Sequence, residues 1–317
     1  MRRLVFLVAL GLLAASRAQG QVDIDAPSLM TTTVLLLKGT QQISQGTGFF
    51  YASTTPDGLP DTVFLVTNIH VLTGHPPGPS QPSDGDRIRF VLHKDGANPK
   101  DVLAVEMPLY TKAAEPLWIV SQTHPNADVA LLPLPKSVYA KAEMRVFTES
   151  HTAGNIRIRP TSQATLLGYP YGFSDTTNFL PVWKTGHVAS EPNVDFQGEP
   201  QFLVDVSAFP GMSGSPVLAV ANGTYETESG AMATGRIMKL LGVFSAMRMV
   251  RPQSGGDGSI FNPQGDATAG GSLQLGYVWK AALLADLARG FDIKTWVGRD
   301  TIKDRANRQS GNRQSAK

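Results

Sequence analysis

The segment Phe209-Pro210-Gly211-Met212-Ser213-Gly214-Ser215-Pro216-Val217 holds a serine beside glycine, just ahead of an apolar run. Glycine lacks a Cβ, so a turn of this kind can present a side chain and aim successive N–H groups outward. The chemistry such a turn serves is nucleophilic attack by an alcohol. The N–H groups of Gly211 and Ser213 would then stabilise the negative oxygen of a tetrahedral intermediate. An ordinary Gly/Ser turn is the plain alternative for this segment taken alone. Ser215 is a rival nucleophile, but it opens the following strand and has no glycine two residues before it.

A serine hydroxyl is a weak nucleophile without a base of near-neutral pKa, most often histidine. The chain has six: His70, His75, His93, His124, His151 and His187, none of them after Ser213. That excludes the α/β-hydrolase order, in which histidine comes last, and leaves histidine, acid, serine. His70 ends the apolar run Val63-Phe64-Leu65-Val66-Thr67-Asn68-Ile69, which predicts delivery at a strand end close to a core. His75 and His151 read as loop residues, His93 and His187 as strand-face residues, and His124 as part of a turn before Pro125. For the acid, Asp128 opens Asp128-Val129-Ala130-Leu131-Leu132, and Asp101 stands in a similar position before Val102-Leu103-Ala104-Val105. A carboxylate beside an apolar strand is costly to bury without a partner, and a histidine N–H is one such partner. The residues alone leave both aspartates open.

The elements that must carry these groups read as short strands. Candidates are Met30–Leu37, Thr47–Ala52, Thr62–Thr67, Arg87–His93, Val102–Tyr110, Trp118–Ser121 and Asp128–Leu134. Ala164–Gly168, Val182–Val188, Gln201–Val206, Ser215–Val220 and Lys239–Phe244 form a second set. Each is rich in β-formers and bounded by Gly, Pro, Asp or Asn clusters. The exception is Tyr277 to Arg289, a helix-forming run stopped by Gly290, with Val278, Ala282 and Ala285 on one stripe. The pattern predicts an all-β fold, sandwich or barrel, with one late helix.

Composition narrows the function. A net charge of +2 over 317 residues implies no strong field for nucleic acid. The absence of cysteine excludes thiol chemistry and Cys-ligated metal. Arg2 and Arg3 precede the apolar run Leu4 to Ala15 and small residues at Ser16 and Ala18. This is the order of a secretory signal peptide over residues 1–20, and the run falls short of the roughly 20 residues that span a bilayer. The mature chain is expected to be exported, secreted or periplasmic, and free of the membrane. Residues 299–317 read as a polar tail.

Taken together, these segments resemble the trypsin-like (chymotrypsin-fold) serine peptidases. The likeness is greatest to the disulfide-free bacterial HtrA-type catalytic domain, without a PDZ domain. Gly46-Thr47-Gly48-Phe49 is similar to the family's Gly-x-Gly-Phe strand, and Leu65-Val66-Thr67-Asn68-Ile69-His70-Val71 to its histidine segment. His124-Pro125-Asn126-Ala127-Asp128-Val129-Ala130-Leu131-Leu132 resembles the acid segment, which favours Asp128 over Asp101. Gly168-Tyr169-Pro170-Tyr171-Gly172 and Lys184-Thr185-Gly186-His187-Val188 are similar to strands of the second barrel, and Leu241-Gly242-Val243-Phe244-Ser245 to the strand beside the substrate backbone.

The resemblance implies two six-stranded antiparallel β-barrels with a C-terminal helix. Residues 27–150 would carry His70 and Asp128, residues 155–276 Ser213, and residues 277–290 the helix. It implies a Ser213–His70–Asp128 triad, an oxyanion hole from Gly211 and Ser213, substrate contacts at Ser207 and Ser245, a polypeptide substrate, and no metal or organic cofactor. Serine at position 207 disfavours an Arg or Lys preference. Departures are Asn68-Ile69 in place of Ala-Ala, and Met212 where zymogen-activated members carry Asp, so no ammonium–aspartate pair can assemble the site. A protease-like binding module without catalysis, and an esterase using the same triad, are the alternatives.

Overall fold

The computed structural model describes residues 24–54, 60–77, 82–96, 98–250, 271–293 and 295–298. The expected signal peptide of residues 1–20 and the expected polar tail of residues 299–317 lie outside them. A short helix α1 (Ala26–Met30) leads into β1 (Thr31–Lys38), β2 (Gln41–Thr54) and β3 (Pro60–Thr67). Then come α2 (Ile69–Thr73), β4 (Arg87–His93), β5 (Val102–Pro108) and β6 (Ala130–Leu134). The turns α3 (Lys136–Tyr139) and α4 (Glu149–Thr152) connect to the second half. That half is β7 (Gln163–Gly168), β8 (Val182–Val188), β9 (Gln201–Asp205), β10 (Pro216–Glu226), β11 (Met232–Val250) and β12 (Gly271–Lys280), closed by α5 (Ala282–Arg289).

The strands form two six-stranded antiparallel sheets. The first runs β5-β4-β1-β2-β3-β6, and the segment between its edges ties them together through Leu117 N–H to the Leu109 carbonyl and an Ile119–Leu131 bridge. The second, β10-β11-β12-β9-β8-β7, is a closed barrel. This is the chymotrypsin-like two-barrel class.

Alternation along the strands builds both barrel interiors and the seam between them, because successive side chains point to opposite faces. In β2, Phe50 and Ala52 fill the first barrel while Phe49 and Tyr51 face the seam. In β3, Val63 and Leu65 point inward and Phe64 and Val66 outward. The second barrel answers with Leu167, Leu218, Val243 and Trp279 at the seam, and with Leu166, Val204, Val217 and Val278 inside. Each fully buried side chain of this size contributes about 1.5–3 kcal/mol.

Two expectations change. The helix begins at Ala282, because Tyr277–Lys280 extends β12 and pairs with β9 and β11. The buried helix face is accordingly Leu283, Leu284, Ala285 and Ala288, with Ala282 exposed and Val278 inside the barrel. Trp118–Ser121 contributes one bridge rather than a strand.

Candidate active site

β3 ends at Thr67, and Asn68 turns the chain into the five-residue helix α2, so His70 sits in the first turn of a helix rather than at a strand end. Gly74, at φ +83, closes that helix with its N–H on the His70 carbonyl. Buried Val71 and Leu72 anchor it from below and leave the imidazole 31% exposed. Asp128, two residues before β6, is only 6% exposed in its side chain. Its Oδ2 lies 2.6 Å from His70 Nδ1 and accepts the Ser245 hydroxyl at 2.6 Å, while Oδ1 accepts the His70 backbone N–H at 3.1 Å. Three donors on one dry carboxylate keep it ionised.

The same contacts set the titration of the pair. Burial pushes the Asp128 carboxyl up, but the His70 charge and the hydrogen bonds from His70 and Ser245 outweigh it and hold it below the usual carboxylate range. Burial pushes His70 down, and the Asp128 charge and hydrogen bond reverse that, so the imidazole titrates above an ordinary histidine. With Nδ1–H committed to an ionised carboxylate, the neutral ring presents Nε2 as a bare acceptor.

Ser213 is the second residue of the latter of two consecutive tight turns that share Met212. Met212 N–H bonds the Phe209 carbonyl at 3.1 Å and Ser215 N–H bonds the Met212 carbonyl at 3.0 Å. Gly211 at φ +94 and Gly214 at φ +87 occupy the third position of each turn. A positive φ there, after Pro210 in the first turn, is the type II arrangement, and it is why glycine stands at both positions. A Cβ on Gly211 would meet the Tyr169 carbonyl oxygen at 2.4 Å, and one on Gly214 the Thr47 carbonyl oxygen at 2.0 Å. Among the described residues, the N–H groups of Gly211 and Ser213 have no hydrogen-bond partner.

The Ser213 hydroxyl donates to the Ser245 backbone carbonyl at 2.8 Å, not to His70. Ser245 therefore touches both ends of the expected triad: its hydroxyl bonds the acid and its carbonyl holds the nucleophile.

The rivals separate cleanly. Asp101 is on the surface, paired with Lys94 Nζ at 2.6 Å. Ser215 is fully buried with an unpartnered hydroxyl, out of reach of a substrate. His93 is buried against the Pro99 carbonyl, and His75 pairs with Asp84 at 3.1 Å. Ser207 is exposed between buried Val206 and Ala208.

One residue carries more than the sequence disclosed. Asn68 is fully buried and donates from Nδ2 to the Asp128 backbone carbonyl at 2.5 Å. What reads as a packing substitution for alanine is a tie that holds the acid segment against the histidine segment. The signal was a polar residue inside an apolar run.

The family model of the trypsin-like peptidase domain matches residues 46–225, more than half of the chain. No curated protein matches it. Among solved structures, the chain is similar to the Rv3671c protease in its inactive form, with 16% identity, a TM-score of 0.38, and coverage of 83% of this chain and 89% of that one. It is similar to the serine endoprotease from Yersinia pestis at 13% identity and a TM-score of 0.40, covering 85% and 68%. It is also similar to the tobacco etch virus protease complexed with product, at 12% identity and a TM-score of 0.37, covering 72% of each chain. The chain belongs to the trypsin-like peptidase domain family and is a serine protease, for which polypeptides are the substrate class.

Proposed function

We propose that this chain is an exported serine endopeptidase that cleaves peptide bonds through an acyl-enzyme on Ser213. Rotation about χ1 takes the Ser213 hydroxyl from the Ser245 carbonyl toward His70 Nε2. The Ser213 oxygen then bonds to the substrate carbonyl carbon as its proton passes to Nε2. The N–H groups of Gly211 and Ser213 take the oxyanion. Collapse breaks the C–N bond, and the amine leaves with the proton from His70. Water repeats the sequence on the ester, regenerating the hydroxyl. Asp128 fixes the His70 tautomer and stabilises the imidazolium throughout.

The observation that carries this reading is the 2.6 Å contact of His70 Nδ1 with a buried, three-donor carboxylate, linked through Ser245 to the Ser213 hydroxyl. Export rests on Arg2, Arg3 and the apolar run Leu4 to Ala15. It is checked by recovering the chain outside the cytoplasm and sequencing its new N-terminus.

A fluorophosphonate probe tests the chemistry. Wild type is expected to be labelled, Ser215→Ala to be labelled equally, and Ser213→Ala not at all. An unlabelled wild type, or equal labelling of Ser213→Ala, overturns the reading and favours a binding module. Hydrolysis of esters with no cleavage of any protein substrate would replace the peptidase by an esterase.

A further inference from the structure

Thr47, in β2 of the first barrel, is fully buried, belongs to neither the acid–base pair nor the nucleophile turn, and yet touches that turn twice. Its N–H donates to the Ser213 carbonyl at 2.8 Å, and its hydroxyl donates to the Gly211 carbonyl at 2.8 Å. The same hydroxyl oxygen accepts the Tyr169 N–H at 3.1 Å, from the end of β7. Its carbonyl takes the Thr67 hydroxyl at 2.7 Å, which fixes Thr47 in turn.

The loop can be followed peptide by peptide. A trans peptide points its C=O and N–H in opposite directions, so a held carbonyl fixes the N–H behind it. The Pro210 carbonyl is held by Tyr171 N–H at 2.6 Å, which aims the Gly211 N–H the other way. The Met212 carbonyl is held by Ser215 N–H at 3.0 Å, which aims that of Ser213. Pro210 suits the second position of type I and type II turns alike, and glycine accepts either φ at the third. The turn residues therefore do not choose between the two forms, and contacts from outside must. Met212 is apolar and fully buried, so no ion pair makes the choice.

We infer that the Thr47 hydroxyl is the positioning group for the oxyanion donors. It pins the Tyr169–Tyr171 segment in register with the Phe209–Ser213 turn, so that Tyr171 N–H stays on the Pro210 carbonyl and Gly211 stays left-handed. Deleting it leaves two buried polar groups, Tyr169 N–H and the Gly211 carbonyl, without their partner. The inference rests on the peptidase reading for its effect on rate, but its geometric half stands alone.

The test compares Thr47→Val, which keeps the shape and removes the hydroxyl, with Thr47→Ser, which keeps the hydroxyl. Thr47→Ala repeats the deletion if valine does not fold. Thr31→Val removes another buried hydroxyl, bonded to the Pro27 carbonyl at 2.8 Å, and serves as the structural control. With p-nitrophenyl acetate, Thr47→Val is expected to lose about 10- to 1,000-fold in kcat with KM within about twofold, the upper end being the loss of one oxyanion donor. Thr47→Ser is expected within about threefold of wild type, and Thr31→Val to keep its kcat whatever its Tm. A kcat for Thr47→Val near wild type, or an equal loss in Thr31→Val, overturns the inference. A crystal structure of Thr47→Val decides without turnover. Separation of Tyr171 N from the Pro210 carbonyl, or a negative φ at Gly211, supports the inference. An unchanged loop overturns it whatever the rates. An inert wild type would instead sink the peptidase reading, leaving this crystal structure to judge Thr47.

Discussion

Substituting alanine for Gly211 separates backbone strain from catalysis. At φ +94 an L-residue pays roughly 1–2 kcal/mol relative to glycine. The new Cβ would also lie 2.4 Å from the Tyr169 carbonyl oxygen and 3.0 Å from the Tyr171 nitrogen, both backbone atoms that cannot swing aside. Inverting the Pro210–Gly211 peptide to a type I turn removes the strain and the clash for the loss of one hydrogen bond, Tyr171 N–H to the Pro210 carbonyl, worth about 1 kcal/mol. The inversion therefore wins, and it takes the residue 211 N–H out of the site. The expected outcome is a stability loss of about 1 kcal/mol, with Tm lower by roughly 2–4 °C. Against that modest change, kcat should fall by about 100- to 1,000-fold, equivalent to about 2.7–4 kcal/mol of barrier. Gly39→Ala is the control. Gly39 lies in the β1–β2 turn at φ +59 with open space where a Cβ would stand, so alanine there carries the strain without the clash. Melting curves and steady-state kinetics on both variants decide. Turnover of Gly211→Ala within a few fold of wild type, or an equal loss in Gly39→Ala, would refute the reasoning.

The pH dependence of kcat/KM should show an acid limb with its midpoint above 6.5, since His70 must be neutral to accept a proton and Asp128 raises its pKa. Stability runs the other way: the His70 contribution is complete below the unfolded value near 6.5 and is lost as pH rises through the raised folded value. Asp128, with a lowered pKa, contributes above its unfolded value and loses that contribution in acid. A rate midpoint at or below 6.5 would contradict the pairing. Asn68→Ala removes the tie to the Asp128 carbonyl but also an Oδ1 buried without a partner, so its Tm should change little. Its kcat/KM should nevertheless fall, by up to about 100-fold if the acid shifts by an ångström, and the rate midpoint should move down. Wild-type kinetics in this variant would show that Asn68 only packs.

Local chemistry made part of this architecture legible. The glycines of the Ser213 turns and the strands written in Val, Leu, Ile and Phe are each settled within a few residues, while the choice of Asp128 over Asp101 came from the family resemblance and not from its neighbours. The misses share a physical cause. Tyr277–Lys280 has helix-forming neighbours, and only pairing with β9 and β11 makes it a strand. The outer halves of β10 and β11, Asn222–Glu226 paired with Met232–Arg236, have no apolar alternation to reveal them, since they project as a largely exposed hairpin. Asn68 reaches a carbonyl 60 residues away, and the Thr47 hydroxyl reaches one 164 residues away. A one-dimensional pattern names the polar residue in such pairs but not its partner. The Ser213 hydroxyl on the Ser245 carbonyl is a choice among staggered rotamers, which no residue pattern encodes.

These long-range bonds have a common location. Thr47 to Ser213, Thr47 to Gly211 and Ser245 to Asp128 each join a group of one sheet to a group of the other. They lie along the seam packed by Phe49, Phe64, Val66, Leu131, Phe147, Leu167 and Val243, with Phe49 and Phe147 edge-to-face at 5.5 Å and α5 seated on the same cluster through Leu284 and Ala288. Neither half alone holds the whole proposed site: His70, Asp128 and Thr47 come with the first sheet, and Ser213 and Ser245 with the second. Close-packed side chains transmit displacements instead of absorbing them. Loss of volume at the seam is therefore expected to change the distance between His70 and Ser213 more directly than an equal loss at a barrel centre, which first has to deform a hydrogen-bonded sheet. On this reading the apolar seam fixes the proposed reacting groups relative to one another, and the polar contacts across it set their final orientation.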